Sequence, residues 1–256
     1  MWFSFENTYV GLISETLSRS RKEMKKKKSE PPVYYPIMLN LQGKKCVVVG
    51  GGTVALRKVK MLLDCGAKVT VISPRPHPEI VKLSKEKAIH LIQRDYEAGD
   101  LKDAVIAMVC TDKEKVNRKV ADEAKKAGVL VNVADHSEPS DFIIPSFLRR
   151  GNLIVAVSTS GVSPALARKI RTKLEKSFGE EYATLLSIIG EVRSTIKEKG
   201  IIVNAEAWQE ALDLDTLISL VEAGQREKAK TLLLSKLEAY RGSYKIRGDF
   251  ENKEKF

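Results

Sequence analysis

Hydrophobic and polar residues follow two different patterns along this chain. Cys46-Val47-Val48-Val49 is a short unbroken apolar run rich in β-branched residues, as expected of a strand buried on both faces. Beyond Gly50-Gly51-Gly52, apolar residues at Val54, Ala55, Val59, Leu62 and Leu63 share one helical face between Thr53 and Asp64, and Gly66 stands where a helix ends. Lys68-Val69-Thr70-Val71-Ile72 is a second strand, closed by Ser73-Pro74. Strand, helix and strand within about 30 residues make a βαβ unit. The alternation continues with a weak strand at Ile89-His90-Leu91-Ile92, a strong one from Ala104 to Cys110, a helix from Lys113 to Ala127 closed by Gly128, and a strand over Val129–Val133. This order predicts an α/β fold with a Rossmann-like, mostly parallel sheet.

After Asp141 the pattern changes. Phe142-Ile143-Ile144-Pro145-Ser146 and Leu153-Ile154-Val155-Ala156-Val157 read as two strands joined through Arg149-Arg150-Gly151-Asn152, antiparallel because the link is too short for a crossover helix. Ser163-Pro164 opens a helix, with Ser as N-cap and Pro at the first position, running to about Ser177. Beyond Gly179, Tyr182, Leu185, Leu186, Ile189, Val192 and Ile196 fall at helical spacing, and Gly200 and Gly224 break the later helices. The expected divisions are a basic tail or linker over 1–32, a Rossmann domain over 33–141, a connecting segment over 142–178 and a helical carboxyl-terminal unit over 179–256.

Charge narrows the function classes. The net charge is +11, and part of the excess crowds into Arg19, Arg21, Lys22 and Lys25-Lys26-Lys27-Lys28, ahead of Ser29-Glu30-Pro31-Pro32. Such an arm reads as a solvated tail. Aromatic residues are only 6% of the chain, too few for a base-stacking platform, so no nucleic-acid partner is expected. An apolar run of about 18–20 residues and a secretory signal are both missing, so the expectation is a cytoplasmic enzyme without membrane contact. Cys46, Cys65 and Cys110 form no CxxC, and there are three histidines. We expect reduced thiols, at least two of them buried in strands, and no metal site.

The chemistry starts at Gly50-Gly51-Gly52-Thr53-Val54-Ala55, a G-x-G-x-x-A pattern set between a strand and a helix. Gly50 permits the tight turn, Gly52 lets backbone approach a pyrophosphate, and Ala55 lets helix and strand pack closely. The free amides and dipole at the helix start favour phosphate. The acid that usually ends the second strand and binds the adenosine ribose is replaced by Ser73-Pro74-Arg75. Arg75 suits a 2′-phosphate, whereas Ser73 with backbone groups suits an unphosphorylated ribose; the residues leave both open. Gly50, Gly51, Gly52, Thr53, Val54, Ser73, Pro74, Arg75 and Thr111, the last at the end of a strand, are the cofactor-binding candidates. Asp135 follows the predicted strand over Val129–Val133, at the end where open α/β sheets place ligands.

Several segments in register resemble one family. Tyr35-Pro36-Ile37 leading to Val48-Val49-Gly50-Gly51-Gly52-Thr53-Val54-Ala55-Leu56-Arg57-Lys58 is similar to the opening of the precorrin-2 dehydrogenase / sirohydrochlorin ferrochelatase family, the amino-terminal region of siroheme synthases. Val131-Asn132-Val133-Ala134-Asp135 resembles its catalytic segment. Asp141-Phe142-Ile143-Ile144-Pro145-Ser146 and Val155-Ala156-Val157-Ser158-Thr159-Ser160-Gly161-Val162-Ser163-Pro164-Ala165-Leu166-Ala167-Arg168 continue the likeness. It covers roughly residues 34–180; the arm matches nothing in the pattern, and the end of the chain matches loosely.

The resemblance implies NAD-dependent oxidation of precorrin-2 to sirohydrochlorin, with Asp135 as the catalytic aspartate, a carboxylate that can take a proton or steady the cationic transition state as hydride leaves for nicotinamide. It implies a homodimer, with 142–178 as the dimerisation segment, and in some members Fe2+ insertion using the same aspartate. The methyltransferase domain fused to some members is not expected in a chain of this length. The substrate is a polycarboxylate, so Arg149, Arg150 and Arg168, near Lys169 and Arg171, are candidates to neutralise it, and Ser158, Thr159 and Ser160 form a polar loop suited to a carboxylate. Two other classes stand beside this reading. One is a non-catalytic NAD-binding redox regulator, which would keep the glycine loop and dispense with Asp135. The other is an RNA- or membrane-associated protein acting through the basic arm.

Overall fold

The computed structural model describes residues 32–134 and 140–248, which form two compact units. The basic arm expected over 1–32 lies, apart from Pro32, outside the described residues, and so do Asp135 and His136. The first unit runs to Ile143 and takes in Ser160–Val162; the second takes Ile144–Thr159 and everything described from Ser163 onward.

In the first unit the strands are β1 (Lys45–Val49), β2 (Lys68–Ile72), β3 (His90–Ile92), β4 (Ile106–Val109) and β5 (Leu130–Val133). All pair in parallel, in the order β3-β2-β1-β4-β5. Helices α1 (Thr53–Asp64), α2 (Pro78–Lys85) and α3 (Glu114–Ala127) connect them. The central strands are the most apolar because both their faces are covered. Val47, Val49, Ile72, Ala107, Val109, Val131 and Val133 are buried together with Leu101, Val120 and Ala124. Gly128, at φ 68°, ends α3 in the left-handed conformation that glycine accepts without strain.

Three expectations need correction here. Helix α2 has no counterpart in the strand–helix pattern read from the sequence. It begins at Pro78 and is capped by His77, whose Nδ1 accepts the Glu79 N–H at 3.2 Å. Proline at the first helical position and an acid in the first turn are start signals, masked by an unusual capping residue. Second, the hairpin strand expected over Phe142–Ser146 begins only at Ser146. Asp141 N–H donates to the Val131 carbonyl at 2.8 Å, Val131 N–H donates to Asp141 Oδ2 at 2.9 Å, and Asn132 Nδ2 donates to the Phe142 carbonyl at 2.9 Å. Asp141 and Phe142 thus serve the open edge of β5. Third, of the cysteines only Cys46 is buried in a strand; Cys65 and Cys110 are half-buried just past the ends of α1 and β4.

The second unit opens with an antiparallel hairpin, β6 (Ser146–Arg150) and β7 (Leu153–Val157), turning at Gly151-Asn152. Arg149 and Arg150 therefore lie inside a strand and not in the link. Helix α4 (Pro164–Leu174) starts as expected: Ser163 Oγ accepts the Leu166 N–H at 3.2 Å and Pro164 follows. Helices α5 (Glu181–Glu198), α6 (Ala205–Ala211), α7 (Leu214–Glu222) and α8 (Arg226–Gly248) complete the unit. Leu185, Ile188, Val192 and Ile196 line one face of α5 and pack with Leu217, Leu233 and Leu237. Among the described residues no helix is long and apolar enough to cross a membrane.

Candidate dinucleotide-binding site

The strand order creates the site. From β1 the chain moves to β2 and β3 on one side, then returns to β4 and β5 on the other, so the connections at the carboxyl ends of β1 and β4 diverge. Open α/β sheets bind ligands in the crevice at such a switch point. Gly50-Gly51-Gly52 rises from β1 at this point. Gly50 N–H donates to the Ile72 carbonyl at 2.9 Å, and Cys110 N–H donates to the Val49 carbonyl at 2.7 Å, so the ladder holds both neighbours up to the loop.

Each glycine answers a different need. Gly50 has φ 118°, and a β-carbon there would lie 2.5 Å from the Cys110 carbonyl oxygen and 3.3 Å from Thr111 N. At Gly51 a β-carbon would meet Ser73 Oγ at 2.4 Å and Arg75 O and Pro76 Cα at 2.8 Å, and the Gly51 carbonyl accepts the His77 N–H at 2.8 Å. Gly52 differs: nothing lies within 4 Å of a β-carbon placed there. It is the N-cap of α1 with no side-chain cap, and the first turn holds no acid. Leu56 N–H returns to the Gly52 carbonyl at 3.0 Å, and the amides before it have no earlier turn to bond. Open space in front of an uncapped, acid-free helix start is a cradle for an anion. Thr53 is exposed beside it, Val54 is half-buried, and Ala55 is fully buried beneath.

Ser73 is 4% exposed, and its Oγ accepts the Arg75 N–H at 3.3 Å while it abuts the loop. Pro74 and Arg75 follow, exposed to solvent. Thr111, beyond β4, gives its hydroxyl proton to Asn117 Oδ1 at 2.6 Å and accepts the Lys113 N–H at 3.2 Å. Asn117 Nδ2 donates back to the Thr111 carbonyl at 3.1 Å. Asn117 was not singled out from sequence; a buried amide inside an amphipathic helix was the signal that marked it. Gly50–Gly52, Ser73 and Thr111 thus gather in the first unit, whereas the candidate cations and the serine loop lie mostly in the second.

There, Arg149 is exposed on β6. Arg150 is engaged: Nη1 donates to the Arg149 carbonyl at 2.9 Å, and Nε stands 3.3 Å from Glu180 Oε1, an ion-pair contact without an aligned hydrogen bond. Thr159 Oγ1 accepts the Ser163 N–H at 3.0 Å and so braces the start of α4. Ser158 is exposed, and Ser160 adopts φ 51° ahead of Gly161. Arg168 is exposed on α4, while Arg171 is tied to Glu175. Among the described residues no group of three or more His, Cys, Asp or Glu side chains is placed to hold a metal ion.

Comparison with known proteins agrees with this geometry. An NAD(P)-binding family model matches residues 37–146, and the model for the sirohaem biosynthesis protein central region matches residues 150–177. The siroheme synthase of Nitrosococcus oceani is 39% identical over 207 residues, covering 80% of this chain and 44% of the relative. That of Methylobacillus flagellatus is 40% identical over 164 residues, covering 64% and 35%. The chain thus spans less than half the length of these curated relatives. The solved structure of SirC, precorrin-2 dehydrogenase, matches with a TM-score of 0.62 at 28% identity, over 81% of this chain and 100% of that one. With the dinucleotide crevice and the hairpin-to-helix segment in the same order, the chain belongs to the siroheme synthase family, in the part that carries the NAD(P)-binding and sirohaem-biosynthesis central regions.

Proposed function

We propose that this chain is an NAD-dependent dehydrogenase that oxidises precorrin-2 to sirohydrochlorin. The observation that carries the reading is the match to the whole length of SirC, precorrin-2 dehydrogenase, by a chain whose own crevice is built around an uncapped helix start and an open Gly52. NAD, when bound, supplies the hydride acceptor. The residues present fit it: the α1 amides hold the diphosphate, the Gly50 turn keeps the Cys110–Thr111 wall close, and Ser73 and Arg75 border the ribose. Asp135 follows Ala134 in the chain, and Ala134 N–H still bonds the Val109 carbonyl at 2.8 Å, at the carboxyl end of β4. Asp135 takes the proton that leaves the macrocycle as the hydride departs, so that the two together account for the two hydrogens removed.

The exposed Arg149 and Arg168, with the Ser158–Ser160 loop, receive substrate carboxylates. The kinship with siroheme synthases extends the reading to Fe2+ as a second substrate, with Asp135 accepting the pyrrole N–H protons the metal displaces. The functional protein is a homodimer. Leu166 and Ile170 are 50% and 37% exposed at a spacing of four, an apolar stripe along α4 that a second copy would cover.

Anaerobic incubation with precorrin-2 and NAD tests the reading. One reduced dinucleotide per sirohydrochlorin is expected by absorbance, followed by a second spectral change on adding Fe2+. Tight NAD binding without turnover would instead favour the regulator.

A further inference from the structure

We infer that Asn117 is a positioning residue for the dinucleotide crevice and acts through Thr111. The inference rests on the dinucleotide reading and deepens it. Asn117 is 5% exposed and lies one turn inside α3, among Val120 and Ala124, which face the sheet. Asparagine is a poor helix former, and a buried amide is tolerated only when its hydrogen bonds are made. Nothing in the packing of α3 asks for an amide there. What Asn117 does is grip one residue at two points: Oδ1 takes the Thr111 hydroxyl proton at 2.6 Å, and Nδ2 donates to the Thr111 carbonyl at 3.1 Å.

Thr111 is the residue whose fixation matters. The Cys110–Thr111 peptide forms the wall of the crevice facing the glycine loop, since a β-carbon on Gly50 would lie 2.5 Å from Cys110 O and 3.3 Å from Thr111 N. The hydroxyl also accepts the Lys113 N–H at 3.2 Å, so donor and acceptor are both in use. Thr111 therefore meets the dinucleotide through its main chain, in an orientation that Asn117 sets. Without the grip the β4–α3 connection gains freedom that binding has to remove, and affinity falls while the chemistry of the bound complex is unchanged.

The test uses the full-length protein, with NAD affinity measured by titration and turnover at varied NAD. Asn117→Leu removes both bonds; Asn117→Asp keeps the acceptor and sets a carboxylate against the Thr111 carbonyl; Thr111→Val removes the hydroxyl. Each should raise Kd and KM for NAD about ten-fold, the loss of one or two hydrogen bonds, and in the Asn117 variants kcat at saturating NAD should stay within about two-fold. Thr111→Ser should retain more affinity than Thr111→Val. The Asn117→Leu and Thr111→Val effects should fall short of additive. Unchanged NAD affinity in folded variants, or lower melting temperature alone, would overturn the inference, as would additive effects. If Asn117→Leu does not fold, Thr111→Val decides. Failure of the unaltered protein to bind NAD would instead remove the dinucleotide reading, and this inference with it.

Discussion

Ser73 Oγ occupies the space into which a side chain on Gly51 would grow: a β-carbon there would lie 2.4 Å away. The middle glycine of the loop is therefore required by the protein itself, whereas the third faces open space. Ser73 is a wall of the turn first, held inward by the Arg75 N–H, and any contact it makes with a ribose comes second.

Gly51→Ala and Gly52→Ala should part company. Two of the atoms facing Gly51, Arg75 O and Pro76 Cα, are backbone and cannot swing aside. Gly51→Ala should cost about 1–3 kcal/mol of stability, together with NAD affinity. Gly52→Ala should cost under about 1 kcal/mol, yet weaken NAD binding by about ten-fold or more. Thermal melts without ligand, paired with NAD titration, separate the two effects.

Asp135→Ala should lower precorrin-2 oxidation by about 10²- to 10⁴-fold, the usual contribution of a positioned proton acceptor. NAD affinity should stay close to that of the unaltered protein. Near-normal turnover would assign the proton to another group.

The helical unit should lose stability in acid through Glu191. Hydrogen bonds from Arg226, then Lys230, pull its carboxyl from the ordinary 4.5 to about 2. A carboxyl depressed in the folded state contributes its stabilisation fully above about 4.5, and that contribution is lost as pH falls toward 2. Glu191 is 38% exposed, so the share of this one group is modest. Helix melts followed from pH 5 to pH 2 should show a shallower decline in Glu191→Gln; an identical decline would sink the assignment.

Cys46 should be the last thiol to react. Burial, with a smaller effect of Cys65, pushes it up to about 11, so little thiolate is present near neutrality. In the native protein at pH 8, iodoacetamide should modify Cys65 and Cys110 well before Cys46, as peptide mass mapping would show. Equal rates would mean that β1 opens readily.

Leu166→Asp combined with Ile170→Asp should yield monomers in sedimentation while preserving helix content, because both side chains face solvent on α4. A dimer that survives this change would place the interface elsewhere.

The sequence determined what local periodicity and end signals can encode. The apolar run of β1, the glycine loop, the helix behind it and the Ser163-Pro164 start of α4 each follow from residues close in the chain. A fold class could be read because strand–helix alternation leaves few ways to bury those faces. The tertiary structure decided what depends on residues brought together from afar. Phe142 read as the start of a strand, but β5 offered an edge to be satisfied and took it together with Asp141. Arg149 and Arg150 read as a link because their charge outweighed the hairpin register, which places the turn two residues later. The packing of Ser73 against Gly51, and of the Cys110–Thr111 wall against Gly50, exists only because β2 and β4 flank β1. Strand order is a global choice of packing, written in no single segment of the chain.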